Sequence, residues 1–250
     1  MKSLNRALDL IELIAGHNGI GVRELAELSG LPPATAHRIV ASLLARGYLT
    51  KAHHTHHYRL SPKFLILGAN VQQQIDIVAI ARPHLEKLMA KTRENANLCV
   101  RDGQNVIYID HVGSPDHNLR TFTKLGGSAP LFASAVGKIF LSHLNEIEFQ
   151  RYIEEVERCA FTPHTLVSAR KLRVEVKAIR KKGYAIDNQE KELGVRCVAA
   201  PVFNHDNQIQ AAISVSGAAQ RITMKRVPEL GKTVVDFAHQ ISMSMGHRKS

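Results

Sequence analysis

Two short amphipathic segments hinged at Ser29-Gly30 constrain this chain more than any other feature. Within residues 21–40, Val22, Leu25 and Leu28 recur at three-residue spacing and predict one apolar helical face. Gly30 suits the left-handed conformation that a sharp helix–helix turn needs. Leu31 closes the corner, and Pro32 and Pro33 fit the opening of a second helix, where a missing N–H costs nothing. Ala36, Ile39, Val40 and Leu43 then resume the inward pattern, which leaves Ala34, Thr35, His37, Arg38, Ala41 and Ser42 outward. Short or hydrogen-bonding side chains with one cation are what a helix entering a major groove presents. A solvated helical hairpin would show the same polar face, so the flanking segments have to decide.

They favour DNA. Ala45-Arg46-Gly47 ends the second helix, residues 48–50 read as a strand, and residues 57–60 return with strand-like alternation after a polar tip. Upstream, Leu4, Leu8, Ile11, Leu13 and Ile14 form an amphipathic stripe expected to complete a small core. Helix, turn, helix and hairpin in this order predict a winged helix-turn-helix over residues 1–61, with the wing at 48–60. The candidate base or phosphate contacts are Pro33, Thr35, His37, Arg38 and Ser42, with Arg6, Arg23 and Arg59 as backbone anchors. The expected partner is double-stranded operator DNA. One winged module offers a small interface, so specific affinity calls for at least a homodimer on a two-fold site.

Net charge agrees without deciding. The chain carries +11, and residues 1–75 hold eight Lys or Arg against four Asp or Glu, so most of the excess lies elsewhere. Four histidines crowd the wing tip, His53, His54, His56 and His57. Neighbours on a strand point to opposite faces, and no carboxylate or cysteine lies nearby, so a solvated loop that can approach phosphate is expected and no metal site. Cys99, Cys159 and Cys197 are odd in number and widely spaced, which argues against a disulfide framework. No apolar run approaches the roughly 20 residues of a membrane span, and a cytoplasmic protein with no membrane partner and no cofactor is expected.

Beyond the wing, residues 62–75 read as a linker helix and residues 78–91 as a further helix within a second domain, 76–248. Strands are predicted at 97–101, 106–112, 119–124, 184–187, 195–203 and 210–216. Helices are predicted at 135–144, capped by Ser134 with Val136, Ile139 and Phe140 as its buried stripe, at 170–182 and at 227–245. This is an α/β layout of the kind sensor domains use. The opening of the helix after Ser134 offers unpaired N–H groups to a small anion.

The chain resembles the IclR family of bacterial transcription regulators nearly end to end. The resemblance is carried by Ser3-Leu4-Asn5-Arg6-Ala7-Leu8-Asp9-Leu10, residues 25–32, Thr35-Ala36-His37-Arg38, Gly47-Tyr48-Leu49 and Tyr58-Arg59-Leu60. In the second half it is carried by residues 130–138, Gly183-Tyr184-Ala185-Ile186-Asp187 and residues 192–202. It implies an α+β chain, a winged helix-turn-helix followed by a GAF-like α/β effector-binding domain, and dimers that pair into tetramers. It also implies effector contacts at Phe132, Ala135, Val136, Asp187, Cys197, Ser214 and Ser216. Phe132 stands where the family often has histidine, and the wing lacks the family's usual Asp and Gly turn.

An acceptor at Asp187, two hydroxyls on one strand face and a helix N-terminus suit a small carboxylate effector, a sugar acid or an aromatic acid. A regulator, most simply a repressor, is the resulting expectation, with an activator as its variant. An enzymatic reading would pair Cys197 with one of the fourteen histidines as nucleophile and base. No Ser-His-Asp, phosphate-loop, HExxH or GxSxG pattern supports catalysis. A DNA binder without an effector would show little sequence preference and no ligand response.

Overall fold

In the computed structural model residues 2–52, 56–74, 76–115 and 125–248 are described, and the chain divides into two compact units, residues 1–75 and 76–250. The first unit runs α1 (Lys2–Ala15), α2 (Val22–Ser29), α3 (Pro33–Ala45), β1 (Leu49–Lys51), β2 (Tyr58–Leu60) and α4 (Lys63–Gln74). Leu10, Ile14, Ile20, Leu25, Ala26, Ala36, Val40, Leu49 and Tyr58 form its core. Gly30 adopts φ 64° at the end of α2, and the Leu31 N–H closes the turn on the Ala26 carbonyl at 3.0 Å. Pro33 opens α3, and Gly47, φ 73°, lets the Tyr48 N–H return to the Leu43 carbonyl at 2.9 Å. β1 and β2 pair antiparallel with Leu49 opposite Leu60. Ile20 and Tyr58 exchange backbone hydrogen bonds at 3.1 and 2.8 Å, which ties the wing to the start of α2.

Two expectations about this core fail. Leu4 and Leu8 are 64% and 50% exposed, and α1 is buried through Leu10 and Ile14 instead. Only the later turns of α1 reach the small core, so the early apolar residues have nothing to pack on there. Leu28 is 54% exposed, because Ala26 rather than Leu28 flanks Leu25 on the inward face. The root of α4 is fixed to the wing: Ser61 Oγ donates to the Gly47 carbonyl at 2.5 Å, and Lys63 Nζ donates to the Arg46 carbonyl at 2.9 Å while lying over the Tyr48 ring.

The second unit runs α5 (Ile77–Thr92), β3 (Asn95–Asp102), β4 (Asn105–Val112), β5 (Ser128–Pro130), a single 3-10 turn (Leu131–Ala133), α6 (Ala135–Ser142), α7 (Glu146–Glu155), α8 (Ala169–Lys182), β6 (Ala185–Asn188), β7 (Val195–Phe203), β8 (Ile209–Ala218) and α9 (Val227–Ser244). Among the described residues its strands form one six-stranded antiparallel sheet in the order β5-β4-β3-β8-β7-β6. Cys99, Ala199 and Ala212 pack with Val136, Ile139 and Phe140 of α6 on one face. The alternate positions Leu98, Val198, Ile213 and Val215 are also fully buried, so the central strands are covered on both sides. This is the curled sheet with flanking helices that the α+β reading anticipates.

The 119–124 strand lies outside the described residues. β5 and α7 were not anticipated, and α6 is buried on every side rather than along one stripe. Lys138 on this helix is wholly buried and pairs with Glu190 and Glu175. Gly137 is obligatory there, because a Cβ would collide with the backbone of Leu131. Among the described residues no helix is long and apolar enough to cross a membrane.

Candidate functional sites

α3 presents an exposed face of short and hydrogen-bonding side chains. Pro33, Ala34, His37, Arg38, Ala41 and Ser42 are exposed and Thr35 is half-buried, whereas Ala36 and Val40 are sealed in the core. Arg6 on α1 and Arg23 on α2 are exposed as well. Arg59 on β2 is exposed and spends one of its N–H groups on the Asn18 carbonyl at 3.2 Å, leaving others to point outward. His56 and His57 are exposed, while His53 and His54 lie outside the described residues. The convex helix face therefore carries hydrogen-bonding groups and one cation, and guanidinium groups stand on neighbouring elements of the same unit. Such a surface can read base edges and hold phosphate.

In the second unit the cross-strand register assembles a row. Asp187 on β6 sits opposite Cys197 on β7, Cys197 opposite Ser216 on β8, and Ser216 opposite Asn95 on β3. Directly opposed residues share a face, so these side chains stand together. Asp187, Cys197 and Ser216 line a cavity of about 160 Å³ with Tyr108, Ser128, Ala129, Ser134, Lys191, Glu192 and Val195. Ser134 is committed to structure: its Oγ accepts from the Gly137 N–H at 3.1 Å, donates to the Pro130 carbonyl at 3.0 Å and starts α6 at the cavity wall.

The remaining residues of the expected effector set stand beside the cavity rather than in its wall. Phe132 is packed in the core and stacks on Phe161 with centroids 6.1 Å apart. Ala135 and Val136 turn their side chains into the same core, so only the first N–H groups of α6 are left to meet a ligand. Ser214 is buried, and its Oγ accepts from Asn97 Nδ2 at 3.2 Å; the same nitrogen donates to Ser216 Oγ at 3.1 Å. Asn97 Oδ1 is held by His111 Nδ1 at 2.8 Å, which orients the amide. Asn97 escaped the sequence reading because a strand asparagine carries no local signal.

Charge in the cavity is arranged around a carboxyl that burial keeps near neutrality. Asp187 is 5% exposed, and burial, with the Glu190 charge, lifts it to about 7 despite the hydrogen bond it accepts from the Glu190 N–H at 2.7 Å. Glu190 is itself raised by burial, against the opposing pull of Lys138, whose Nζ lies 2.5 Å from Glu190 Oε1. Glu190 Oε2 is buried with no hydrogen-bond partner among the described residues. Burial raises the Cys197 thiol and the Tyr108 hydroxyl, so both remain protonated at neutral pH. A protonated, half-buried thiol is a poor nucleophile, and among the described residues no histidine lines the cavity. Among the described lining residues Lys191 provides the cation, and it rests 3.6 Å over the Phe161 ring. Lys191 and the Lys138–Glu190 pair carry no periodic or motif signal in the sequence, since Lys138 and Glu190 are 52 positions apart.

The IclR helix-turn-helix domain profile matches residues 3–53, and the profile of the bacterial transcriptional regulator IclR C-terminal domain matches residues 69–243. The chain is 34% identical over 249 residues to the transcriptional repressor IclR of Escherichia coli (strain K12), covering 98% of this chain and 90% of that protein. It is 33% identical over 249 residues to the HTH-type transcriptional regulator BhcR of Paracoccus denitrificans (strain Pd 1222), covering 100% of this chain and 89% of that protein. Among solved structures, the Agobacterium tumefaciens repressor BlcR superposes with TM-score 0.88 at 25% identity, covering 100% of this chain and 99% of the other.

Proposed function

This chain belongs to the IclR family of DNA-binding transcriptional regulators, and from that premise we propose that it is a repressor released from its operator by a small carboxylate. The observation that carries the reading is the exposed face of α3, with Thr35, His37, Arg38 and Ser42 outward and Ala36 and Val40 buried. Arg6, Arg23 and Arg59 supply phosphate anchors, and a dimer, or a dimer of dimers, doubles the contact on a two-fold site. Repression is supported by the names of relatives, several of which are repressors.

The effector occupies the cavity beside Asp187, Cys197 and Ser216. Its carboxylate pairs with Lys191 and the first N–H groups of α6, while hydroxyls of a sugar acid or hydroxy acid meet Asp187 and Ser216. Binding shifts DNA affinity because the ligand prefers the arrangement of winged units that mismatches the operator, and α4 is the element that links the two units. Regulator relatives and a protonated Cys197 support binding over catalysis.

The test is a footprint of the purified full chain across its own upstream region during titration with a panel of hydroxy, sugar and aromatic acids. A protected two-fold site that disappears with one class of acid is expected. Protection that no acid relieves would remove the effector reading, and no protected site would remove the operator reading.

A further inference from the structure

A second cavity, about 290 Å³, lies at the other end of α6 from the first. Ser134 at the start of α6 borders the first cavity, and His143, which ends the helix, borders the second. It is a half-open pocket whose wall draws on α6, α8, β7 and α9. Its apolar surface comes from Ile139, Ile179, Ala200 and Val235. Its aromatic wall is Phe203, whose ring meets His143 edge-on at 5.2 Å and stacks on His247 at 5.3 Å.

The polar groups are mostly basic. His143, His239, His247 and Arg180 are in the wall beside Ser242, and no acidic side chain joins them among the described residues. Arg180 donates Nε to the Ser142 carbonyl at 2.6 Å and Nη2 to the Leu144 carbonyl at 2.8 Å, which fixes the guanidinium and leaves further N–H groups unspent. His143 Nδ1 lies 2.9 Å from the Ile139 carbonyl, so that nitrogen carries the proton. His247 Nδ1 is buried and has no hydrogen-bond partner among the described residues, an uncommon condition.

We propose that this second cavity binds a small planar aromatic carboxylate, its ring against Phe203 and the imidazoles and its charge toward Arg180 and His247. Benzene fills a dry cavity of about 150 Å³, so this space holds one ring plus a carboxylate with room to spare. The site stands independently of the effector assigned to the first cavity, since the two share no lining residue.

The experiment titrates the full-length protein with 4-fluorobenzoate, following fluorine signals of the ligand and methyl signals of Ile139 and Ile179 in wild type. The expected result is saturable movement of both methyls. Val235→Trp, which fills the space, and independently His239→Trp should weaken binding by at least about tenfold, while Ser128→Trp at the first cavity leaves it unchanged. Fluorobenzene should bind at least about tenfold more weakly than the acid. The proposal is overturned if neither methyl moves up to about 10 mM ligand, if only Ser128→Trp abolishes binding, or if fluorobenzene binds as tightly as the acid.

Discussion

Asp187 and Cys197 face each other directly across β6 and β7, and the same register carries the row on to Ser216 of β8. Three side chains distant in sequence are thereby held on rigid strands with Cβ spacings set by the ladder. The sheet side of the cavity wall is set by this register, while Lys191 and Glu192 come from the β6–β7 connection. The register also places an acidic group where desolvation controls its charge.

That placement makes stability depend on pH with a definite sign. Folding raises Asp187 from 3.8 to about 7 through burial and the Glu190 charge. Between those values the unfolded chain ionises while the folded one keeps its proton, so stability present below pH 3.8 is lost as pH rises toward about 7. The span corresponds to at most about 4 kcal/mol. Asp187→Asn removes this decline, so wild type should lose more stability than the variant between about pH 5 and about pH 8 in denaturant titrations. Equal losses would show that Asp187 is ionised in the folded state.

Lys138 is wholly buried against Glu190, with Glu175 at 3.6 Å. Removing one partner of such a pair leaves an uncompensated interior charge. Lys138→Met should therefore cost about 3–5 kcal/mol, read as a lowered thermal midpoint, and adding Glu190→Gln should recover most of it. A double variant no better than the single one would mean that the pair's geometry, not its charge balance, matters.

Much of the first unit could be read in advance because its signals are local. Gly30 and Gly47 needed positive φ, Pro33 needed a helix start, and the 3.6-residue period separated the two faces of α3. The same period misled at Leu4 and Leu8, which repeat correctly but lie beyond the reach of the core. In the second unit the effector candidates came from family resemblance, while the row that unites three of them depends on strand register, which periodicity alone does not specify. The Lys138–Glu190 pair carries no local signal, because the two residues are 52 positions apart. β5 is only three residues long, too short for alternation to register. α7 did carry a readable sign: Asn145 accepts from the Glu148 N–H at 2.9 Å and the Glu148 side chain returns to the Asn145 N–H at 3.0 Å, a capping box spelled out in sequence.

Cys197→Ser tests binding against covalent chemistry. Burial keeps the thiol protonated, and the change is nearly isosteric, so ligand-dependent release of DNA should survive with at most about a fivefold shift in effector affinity. The measurement is effector titration of a preformed protein–DNA complex. Complete loss of the response in a folded variant would assign Cys197 a chemical role.

The central claim is that the exposed face of α3 reads operator DNA. The most direct measurement compares Arg38→Ala with wild type for operator and for scrambled DNA of equal length, across a salt series. If Arg38 recognises a base, operator affinity falls by roughly 1–3 kcal/mol while scrambled DNA binding and the salt slope barely change. Unchanged operator affinity for Arg38→Ala, with Thr35→Ala and His37→Ala equally silent, would contradict the claim.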